Sequence, residues 1–378
     1  MKKILIKVTT IFKPRTGLNR YVSGIGRSTI HLLEALAKSG EKPFEIDLYG
    51  SGITSLRKKA YDLPFDYGCF PLPMKLGTVW TRLEPWYLKY INKHDLLHIP
   101  HNYDYALTRD MNFVITMHDT CEYDAAEKAG NLERMDVWKL AAEGAKKIVT
   151  CSSCSKADII DRFDVPEEKV VVIPWGISTD VFHKINNNDV AEVLRSKLID
   201  DKYFLAVSCS NERKNIGNLL EAYRNFLSIG GDVQMVLLWG TPPQNILAKY
   251  SKEIRGGKIK FLDYVTDREL VCLYNGAIAT MYPSRYEGFG FPILESFACG
   301  TPVMTCNNSS LSDVGGDVAV YVGEDNIDEM TQAMQMFSDG TYNMEEFEIK
   351  AAQHVKEFSW DLAARKYVNF YKDVLEEV

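Results

Sequence analysis

Residues 278–305 read IATMYPSRYEGFGFPILESFACGTPVMT, and this stretch contains one complete round of the alternation that decides the fold. Its first five residues form a short apolar run typical of a buried strand, and Pro292 is typical of the first turn of a helix. Gly300 followed by Pro302 indicates a helix stop, after which a second strand-like run begins. Strand, loop, helix and strand in this order predict a parallel sheet covered by helices.

The same alternation continues through the rest of the chain. Short runs of apolar and β-branched residues predict two series of buried strands. The first series comprises residues 4–9, 44–49, 95–99, 113–117, 147–150 and 170–173. The second comprises residues 204–208, 233–238, 259–261, 278–282, 302–305 and 319–322. Segments with a 3.6-residue apolar period predict helices at 28–37, 216–227, 326–337 and 360–378, with Asn326 as an N-cap.

The two series are divided near residues 174–200 by a polar, turn-rich segment that contains Pro174, Gly176 and a run of asparagines. We therefore predict an α/β chain of two doubly wound, Rossmann-like domains, at residues 1–175 and 176–358, followed by an amphipathic helix at 359–378. In such an architecture a ligand binds at the carboxyl ends of the strands, here in a central cleft that both domains face.

Composition and charge narrow the class of protein. Of the 378 residues, 46% are apolar and 25% are charged, which excludes disordered and collagen-like chains. The net charge of −7 argues against a nucleic-acid partner. Residues 1–175 carry +3 and residues 176–378 carry −10, so the first half is the better suited to approach an anionic lipid or phosphate.

Eight cysteines in a chain of this length do not form a disulfide scaffold. Cys151 and Cys154 make a C-x-x-C pair, but no second pair completes a zinc site, so we expect reduced thiols in a cytoplasmic protein. Lys7 interrupts the N-terminal apolar run, and no run approaches the ~20 apolar residues of a membrane span. We therefore predict neither a signal peptide nor a membrane anchor.

The loop after residue 286 has the most specific pattern. Gly288 and Gly290 lack a Cβ, so the backbone can approach a ligand closely, and the N–H groups of the next helix favour an anion. Glu287, before the loop, and Glu295, placed in the first helical turn, suit a ligand rich in hydroxyls, because ionised carboxylates only accept hydrogen bonds. A tight turn whose Glu295 complements the helix dipole explains the stretch about equally well when it is taken alone.

A second pattern, Asn211-Glu-Arg-Lys-Asn215, lies between a predicted strand and a predicted helix. Arg213 and Lys214 at a helix N-terminus oppose the helix dipole, and an anionic ligand would remove that conflict. Arg213 can bind a phosphate through two N–H groups, and Lys214 adds a point charge. This interpretation is preferred to a solvated basic turn.

Two weaker patterns lie in the first half. Gly24 and Gly26 open the first long helix as a G-x-G without the third glycine of a dinucleotide fingerprint, which indicates a phosphate- or sugar-facing loop. His118 directly follows the predicted strand 113–117, where it can donate to a substrate hydroxyl while the aspartate after it can fix its tautomer. His98 and His101 are interpreted as ordinary strand-end residues.

No P-loop, Ser/His/Asp order or His-Glu-x-x-His motif occurs, which excludes several hydrolase classes. Taken together, the motifs resemble the retaining glycosyltransferases of family four (glycosyltransferase group 1), which adopt the GT-B fold. The resemblance rests on the Glu-x7-Glu motif from Glu287 to Glu295 and extends over nearly the whole chain. The further matches are Gly24-Ile-Gly26, His118-Asp119, 151–155, 172–177, Arg213-Lys214-Asn215, 261–265, Glu269-Leu270, 300–303 and 358–360.

This resemblance implies a nucleotide-sugar donor held mainly by the second domain and an acceptor held mainly by the first. By position in the motifs, Glu295 would bind the ribose hydroxyls and Glu287 the hydroxyls of the donor sugar. Arg213 and Lys214 would hold the diphosphate.

The remaining matches imply further donor contacts. The loop Gly288-Phe289-Gly290-Phe291 would supply backbone donors, and Val265 would lie near the base. His118 would contact the sugar from the opposite domain. Two features depart from the family pattern: Trp175 stands where Asn is more frequent, and residues 209–212 replace a commoner glycine-containing run.

The implied reaction is transfer of a hexose-type sugar, with retention at the anomeric carbon, to a glycan or lipid-linked acceptor in cell-surface polysaccharide or glycoconjugate synthesis. Fixed cations and helix N–H groups can stabilise the departing diphosphate, so neither a metal nor a cofactor is expected beside the nucleotide diphosphate-sugar. Two alternatives remain: a sugar-nucleotide epimerase or hydrolase on the same fold, and a non-catalytic subunit that binds nucleotide sugar.

Residues 80–93 mix aromatic residues with Arg82, Lys89 and Lys93. This composition is compatible with peripheral contact between the N-terminal domain and the inner face of a membrane, where a lipid-linked acceptor would be found. We prefer a helix that packs its aromatic residues against the first sheet, because Pro85 interrupts a continuous amphipathic surface. Nothing in the sequence indicates the oligomeric state.

Overall fold

The structure, a computed structural model, describes residues 1–8, 24–40, 43–51, 63–70, 86, 88, 93–101, 111–128, 130 and 132–377. The chain divides into two compact units. Unit 1 comprises Met1–Gly176 together with Trp360–Val378, and unit 2 comprises Ile177–Ser359. Each boundary lies one residue from the predicted position.

Unit 1 is built on a seven-stranded sheet in which every described pairing is parallel. The strands run in the order β3-β2-β1-β4-β5-β6-β7. They are β1 (Lys2–Lys7), β2 (Phe44–Ser51), β3 (Asp66–Phe70), β4 (Leu96–Ile99), β5 (Phe113–Thr116), β6 (Lys147–Thr150) and β7 (Val170–Val172). The helices between them are α1 (Gly24–Lys38), α2 (Cys121–Lys128), α3 (Leu132–Gly144) and α4 (Ser153–Phe163).

Unit 2 contains a six-stranded parallel sheet in the order β10-β9-β8-β11-β12-β13. Its strands are β8 (Tyr203–Ala206), β9 (Gln234–Leu238), β10 (Ile259–Leu262), β11 (Ala279–Tyr282), β12 (Val303–Cys306) and β13 (Val320–Val322). Its helices are α5 (Asn187–Ser196), α6 (Ile216–Ser228), α7 (Gln244–Lys249), α8 (Ser251–Arg255), α9 (Asp267–Gly276), α10 (Phe291–Ala298), α11 (Ser309–Gly315), α12 (Ile327–Ser338) and α13 (Met344–His354).

The last helix, α14 (Trp360–Glu376), belongs to unit 1. Alternate residues of β1 point to opposite faces of the sheet, and each face has its own core. Ile4 and Ile6 pack in one cluster with α1 and with Tyr371 of α14. Leu5 packs in the other cluster with Trp138 of α3. Unit 1 is therefore covered on both sides, as a doubly wound sheet requires.

His98 of β4 ties α14 to this sheet. Its Nδ1 lies 2.6 Å from the hydroxyl of Tyr371, and its Nε2 lies 2.8 Å from Oγ1 of Thr116. Burial lowers the pKa of His98 to about 3, so the ring is neutral at neutral pH. His98 is therefore a hydrogen-bonded core residue, in line with its interpretation as an ordinary strand-end histidine.

Two differences between the described and the predicted elements concern a strand of the unit 1 sheet and the predicted glycine loop. Strand β3 was not predicted, because it is an edge strand in which Asp66 and Gly68 are exposed, so it lacks the continuous apolar run of a buried strand. Helix α1 begins at Gly24, four residues before the predicted start, so Gly24 and Gly26 lie in its first turn and not in a preceding loop. The predicted membrane-contact segment, 80–93, lies outside the described residues except for Trp86, Leu88 and Lys93.

Candidate active site

The site in unit 2 forms where two neighbouring strands end. Strand β8 is followed by a 3₁₀ turn, Glu212–Lys214, and β11 is followed by the loop that leads to Gly290. Because β8 and β11 are paired in parallel, the segments after both strands lie at the same edge of the sheet. The two predicted binding motifs are thereby brought together.

Glu287 is the centre of this site. Its Oε2 accepts a hydrogen bond of 2.7 Å from Nη1 of Arg213, and its Oε1 accepts one of 2.5 Å from Nζ of Lys214. The hydroxyl of Ser284 donates to the same Oε1 at 2.6 Å. Nη1 of Arg213 also donates to the carbonyl of Tyr286 at 2.6 Å. Glu287 and Lys214 are both buried, so this is an ion-paired cluster inside the protein and not a solvated basic turn.

The charges in the cluster depend on one another. Burial alone would raise the pKa of Glu287, but the positive charges of Lys214 and Arg213 hold it below its ordinary value. Burial lowers the pKa of Lys214, and the carboxylate of Glu287 opposes that change. The conflict between two cations and a helix N-terminus is therefore relieved within the chain, by Glu287, and does not by itself require an anionic ligand.

Tyr282 and Ser284 complete the cluster, although neither was predicted as a site residue. The Tyr282 hydroxyl accepts a hydrogen bond of 3.1 Å from Lys214, and burial beside Glu287 raises the pKa of Tyr282 well above its ordinary value. Both residues belong to the stretch 278–305: Tyr282 is the last residue of β11, and Ser284 lies two residues after it. That position was the one signal that could have identified them.

Glu295 is held by a residue that sequence reasoning missed. Its Oε2 accepts a hydrogen bond of 2.8 Å from the hydroxyl of Tyr274, a buried residue of α9. Burial, together with the charge of Glu295, raises the pKa of Tyr274 well above its ordinary value, so the phenol keeps its proton. Glu295 is the fifth residue of α10, which places it beyond the first turn and corrects the sequence-based expectation.

The glycine loop is packed more tightly than a freely accessible turn. Gly290 has a φ of +110°, and a Cβ on it would lie 3.2 Å from Leu311. The Ser310 hydroxyl lies 2.7 Å from the carbonyl oxygens of both Glu287 and Phe289. Helix α10 also offers fewer N–H donors than predicted, because Pro292 has none and the N–H of Ile293 donates to the carbonyl of Gly290.

Val265, predicted near the base, is buried in the connection between β10 and α9. The residue after it, Thr266, caps α9, since its hydroxyl accepts from the N–H of Glu269 while the Glu269 carboxylate accepts from the N–H of Thr266. This reciprocal capping box fixes the start of the helix and the position of Val265. The roles of Val265, Gly288, Phe289 and the other site residues in binding a donor stay predictions.

His118 lies in unit 1, after β5. Its Nε2 lies 3.1 Å from the carbonyl of Pro100, which can only accept, so the Pro100 carbonyl sets the tautomer. Burial lowers the pKa of His118 to about 3, so the ring is neutral at neutral pH. Asp119, expected to fix the tautomer, accepts from the N–H of Cys121. Trp175 packs edge-on against His118, with ring centroids 4.9 Å apart.

Cys151 is buried and Cys154 is half-buried, and neither forms a disulfide. Within the described ranges, no group of three or more His, Cys, Asp or Glu side chains is arranged to hold a metal ion. A search of the described helices also finds none long and apolar enough to cross a membrane.

Comparison with known proteins agrees with this architecture. Residues 22–181 match the family model described as Glycosyltransferase Family 4, and residues 189–354 match the one described as Glycosyl transferases group 1. The chain belongs to this family of GT-B glycosyltransferases. The sequence motifs, above all the Glu-x7-Glu motif from Glu287 to Glu295, predicted membership of this family, and that prediction is confirmed.

Several known proteins resemble this chain in sequence or in fold. The chain is 28% identical to the O-antigen chain mannosyltransferase B of Escherichia coli, over 93% of this chain and 96% of that protein. Its fold matches a sucrose-phosphate synthase of Thermosynechococcus elongatus with a TM-score of 0.73 and 18% identity, each chain being covered completely. It also matches Anabaena HepE, solved in complex with UDP-glucose, with a TM-score of 0.71 and 15% identity over 99% of this chain and 100% of that one. The protein is a glycosyltransferase, and these relatives do not favour an epimerase or a non-catalytic subunit.

The ion-paired cluster predicts a pH-dependent stability. Because the pKa of Glu287 is lower in the folded protein than its ordinary value of 4.5, its stabilising effect is complete above that value and is lost as the pH falls through the folded pKa. Glu287→Gln leaves Lys214 buried without its counter-charge, which we expect to cost about 3–5 kcal/mol near neutral pH. The difference from the wild type should shrink in acid.

Denaturant unfolding at neutral pH and at several acidic pH values measures this difference. The matched control is Glu346→Gln, which removes an exposed carboxylate 2.9 Å from Lys350 on α13 and should change the stability little at any of these pH values. Equal losses for the two variants, or a loss at Glu287 that does not depend on pH, would contradict the assignment.

Proposed function

We propose that this glycosyltransferase is retaining and metal-independent, and that it moves a hexose-type sugar from a nucleotide diphosphate-sugar to a glycan or lipid-linked acceptor during polysaccharide synthesis. The observation that carries the proposal is the buried cluster of Arg213, Lys214 and Glu287 at the carboxyl edge of the unit 2 sheet. Two cations and one carboxylate leave a local excess of one positive charge where the fold class binds its ligands.

Arg213 and Lys214 are proposed to bind the diphosphate of the donor. Arg213 is about one-third exposed and can turn a face of its guanidinium to a ligand while Nη1 stays on Glu287. Lys214 is buried, so its charge acts through a medium that screens it less than water does. Glu295, oriented by Tyr274, is proposed to accept hydrogen bonds from the ribose hydroxyls.

The proposed reaction is a displacement on one face of the sugar. The bond from the anomeric carbon to the β-phosphate oxygen breaks, the acceptor oxygen bonds to the same face, and the acceptor proton passes to the departing phosphate oxygen. Both oxygens of Glu287 are already engaged, by Arg213 on one side and by Lys214 and Ser284 on the other, which makes this carboxylate a poor nucleophile. Its proposed role is to hold the cations and to accept from hydroxyls of the sugar.

Mannose is the hexose we propose to test first, because the relative that matches along nearly its whole length is an O-antigen mannosyltransferase. That relative also supports a polysaccharide chain as the acceptor. Positive charge near the departing diphosphate is supplied by the chain itself, which is the reason for proposing that no metal takes part.

Substitution of the proposed donor-binding residues tests the central assignment. Arg213→Ala removes a positive charge from the leaving group, and we expect turnover at saturating acceptor to fall by about 10²–10³-fold. Glu295→Ala should chiefly raise the KM for the donor. Near-wild-type rates in folded Arg213→Ala protein would refute the proposed site.

Retention of the anomeric configuration and independence of metal are tested by separate measurements. With a nucleotide sugar whose anomeric configuration is known, the product should keep that configuration, as read from its anomeric proton coupling by NMR. The initial rate should be unchanged after dialysis against EDTA and should not rise when Mg²⁺ or Mn²⁺ is added. An inverted product, or a rate restored only by metal, would overturn the respective part while leaving glycosyl transfer intact.

Tyr274→Phe tests whether Glu295 must be held in place. The variant removes one hydroxyl that donates to a carboxylate, and we expect the donor KM to rise about tenfold with a smaller change in kcat. Tyr203→Phe is the matched control, since the buried Tyr203 hydroxyl donates to the carbonyl of Leu273 and not to Glu295. A similar KM in both variants would show that the hydrogen bond to Glu295 does not serve donor binding.

A further inference from the structure

Four adjacent strands of unit 2 end at the edge of the sheet that carries the site. In sheet order they are β8, β11, β12 and β13. The segments that follow them are residues 212–215, 284–289, 308–310 and 323–325. The first two segments carry Arg213, Lys214 and Glu287, whereas no role has so far been given to the fourth.

Glu324, in the fourth segment, is bonded to all three of the others. Its carboxylate accepts a hydrogen bond of 2.6 Å from Nδ2 of Asn308, and its other oxygen lies 3.3 Å from Nη1 of Arg285. Its main-chain carbonyl accepts from Nδ2 of Asn215 at 2.6 Å and from Nδ2 of Asn218 at 3.2 Å. One half-buried residue thus fixes the distances between four chain segments.

Two of these bonds lead directly to the cations. Asn215 follows Lys214 and has a φ of +60°, and its side chain bonds to Glu324 instead of capping α6. The backbone N–H of Arg285 donates to the carbonyl of Arg213 at 2.7 Å. The position of the 3₁₀ turn that carries both cations therefore depends on bonds that converge on Glu324.

The third bond leads to Glu287. Oδ1 of Asn308 lies 3.3 Å from the Ser309 hydroxyl, which accepts the backbone N–H of Glu287 at 3.0 Å. Ser309 has a φ of +47°, a conformation that a residue other than glycine keeps only where its surroundings hold it. Together with the ion pair between Arg213 and Glu287, these contacts close a ring that passes through Glu324.

We propose that Glu324 is a positioning residue for donor binding: it sets the spacing between Arg213, Lys214 and Glu287 without touching any of the three. The inference rests on the proposed function. Among the described residues, Glu324 makes no hydrogen bond or ion pair to these three side chains, so it acts through Arg285, Asn215 and Asn308. Releasing the ring lets the 3₁₀ turn and the loop shift relative to each other, and displacements of this kind at a reacting centre are costly to the rate.

The test uses the full-length chain and the kinetics of transfer from nucleoside-diphosphate mannose and glucose donors, with GDP and UDP as binding probes in calorimetry. Glu324→Ala removes the carboxylate partner of Asn308 and one of the two carboxylate partners of Arg285, which keeps its ion pair with Asp325. The main-chain carbonyl stays in place. We expect kcat/KM for the donor to fall about tenfold, with weaker binding of the nucleoside diphosphate. Glu324→Gln keeps the size of the side chain and one of its two acceptor oxygens, so its kcat/KM should lie between those of the wild type and Glu324→Ala. If the alanine variant does not fold, the glutamine variant is the one to measure.

The control variant is Glu346→Ala, which removes an exposed, paired carboxylate from the same unit. It should match the wild type in kcat and KM. A double-mutant cycle then separates positioning from general stability: if Glu324 acts through the cluster, Glu324→Ala should cost little once Arg213→Ala is present. Two results would overturn the inference. One is a double variant in which the fold-losses of kcat/KM from Glu324→Ala and Arg213→Ala simply multiply. The other is a Glu324→Ala variant with the same kinetics as Glu346→Ala.

The same experiments keep the two proposals apart. Wild-type turnover in Arg213→Ala would refute the donor site itself, and the inference about Glu324 with it. Loss of turnover in Arg213→Ala alongside normal kinetics in Glu324→Ala would refute the inference alone.

Discussion

A single buried carboxylate makes the rest of the site possible. Arg213 and Lys214 are consecutive cations, and burying Lys214 lowers its pKa. Two adjacent charges of one sign repel each other more strongly in the protein interior than in water, so this turn would be expelled to solvent without a partner. Glu287 supplies that partner from the loop that follows the neighbouring strand, β11. The parallel pairing of β8 with β11 is therefore a condition for the chemistry as well as for the fold.

Most of the fold could be predicted from the sequence because strands buried on both faces are continuous apolar runs. Each predicted run corresponds to an observed strand, and the helix cap at Asn326 is present as predicted, with its side chain accepting the N–H of Glu329. Strand β3 escaped because one side of an edge strand faces solvent, which weakens its apolar pattern. The start of α1 was not predicted because glycine has a low helix propensity, so Gly24 and Gly26 did not suggest a first helical turn.

The site could be predicted only in part. Local patterns identified Arg213, Lys214 and Glu287, but they did not show that these residues bond to one another across about 74 residues of chain. The hydrogen bonds of Tyr274 and Glu324 are formed by tertiary contacts, and nothing in the neighbouring sequence of either residue marks them. The tautomer of His118 was misjudged for a related reason: the adjacent aspartate suggested a partner, whereas a distant main-chain carbonyl, that of Pro100, supplied it.

The acidic balance of the second half does not oppose a diphosphate ligand. Surface charges farther from the site than a Debye length of about 8 Å are largely screened at physiological ionic strength, whereas buried charges are not. Within the cluster, Glu287 reduces two positive charges to a net excess of one. Arg213 is the more exposed of the two cations, with about a third of its side chain exposed against about a tenth for Lys214. A diphosphate would therefore meet the open part of its guanidinium first, while Nη1 stays on Glu287 and keeps the turn in place.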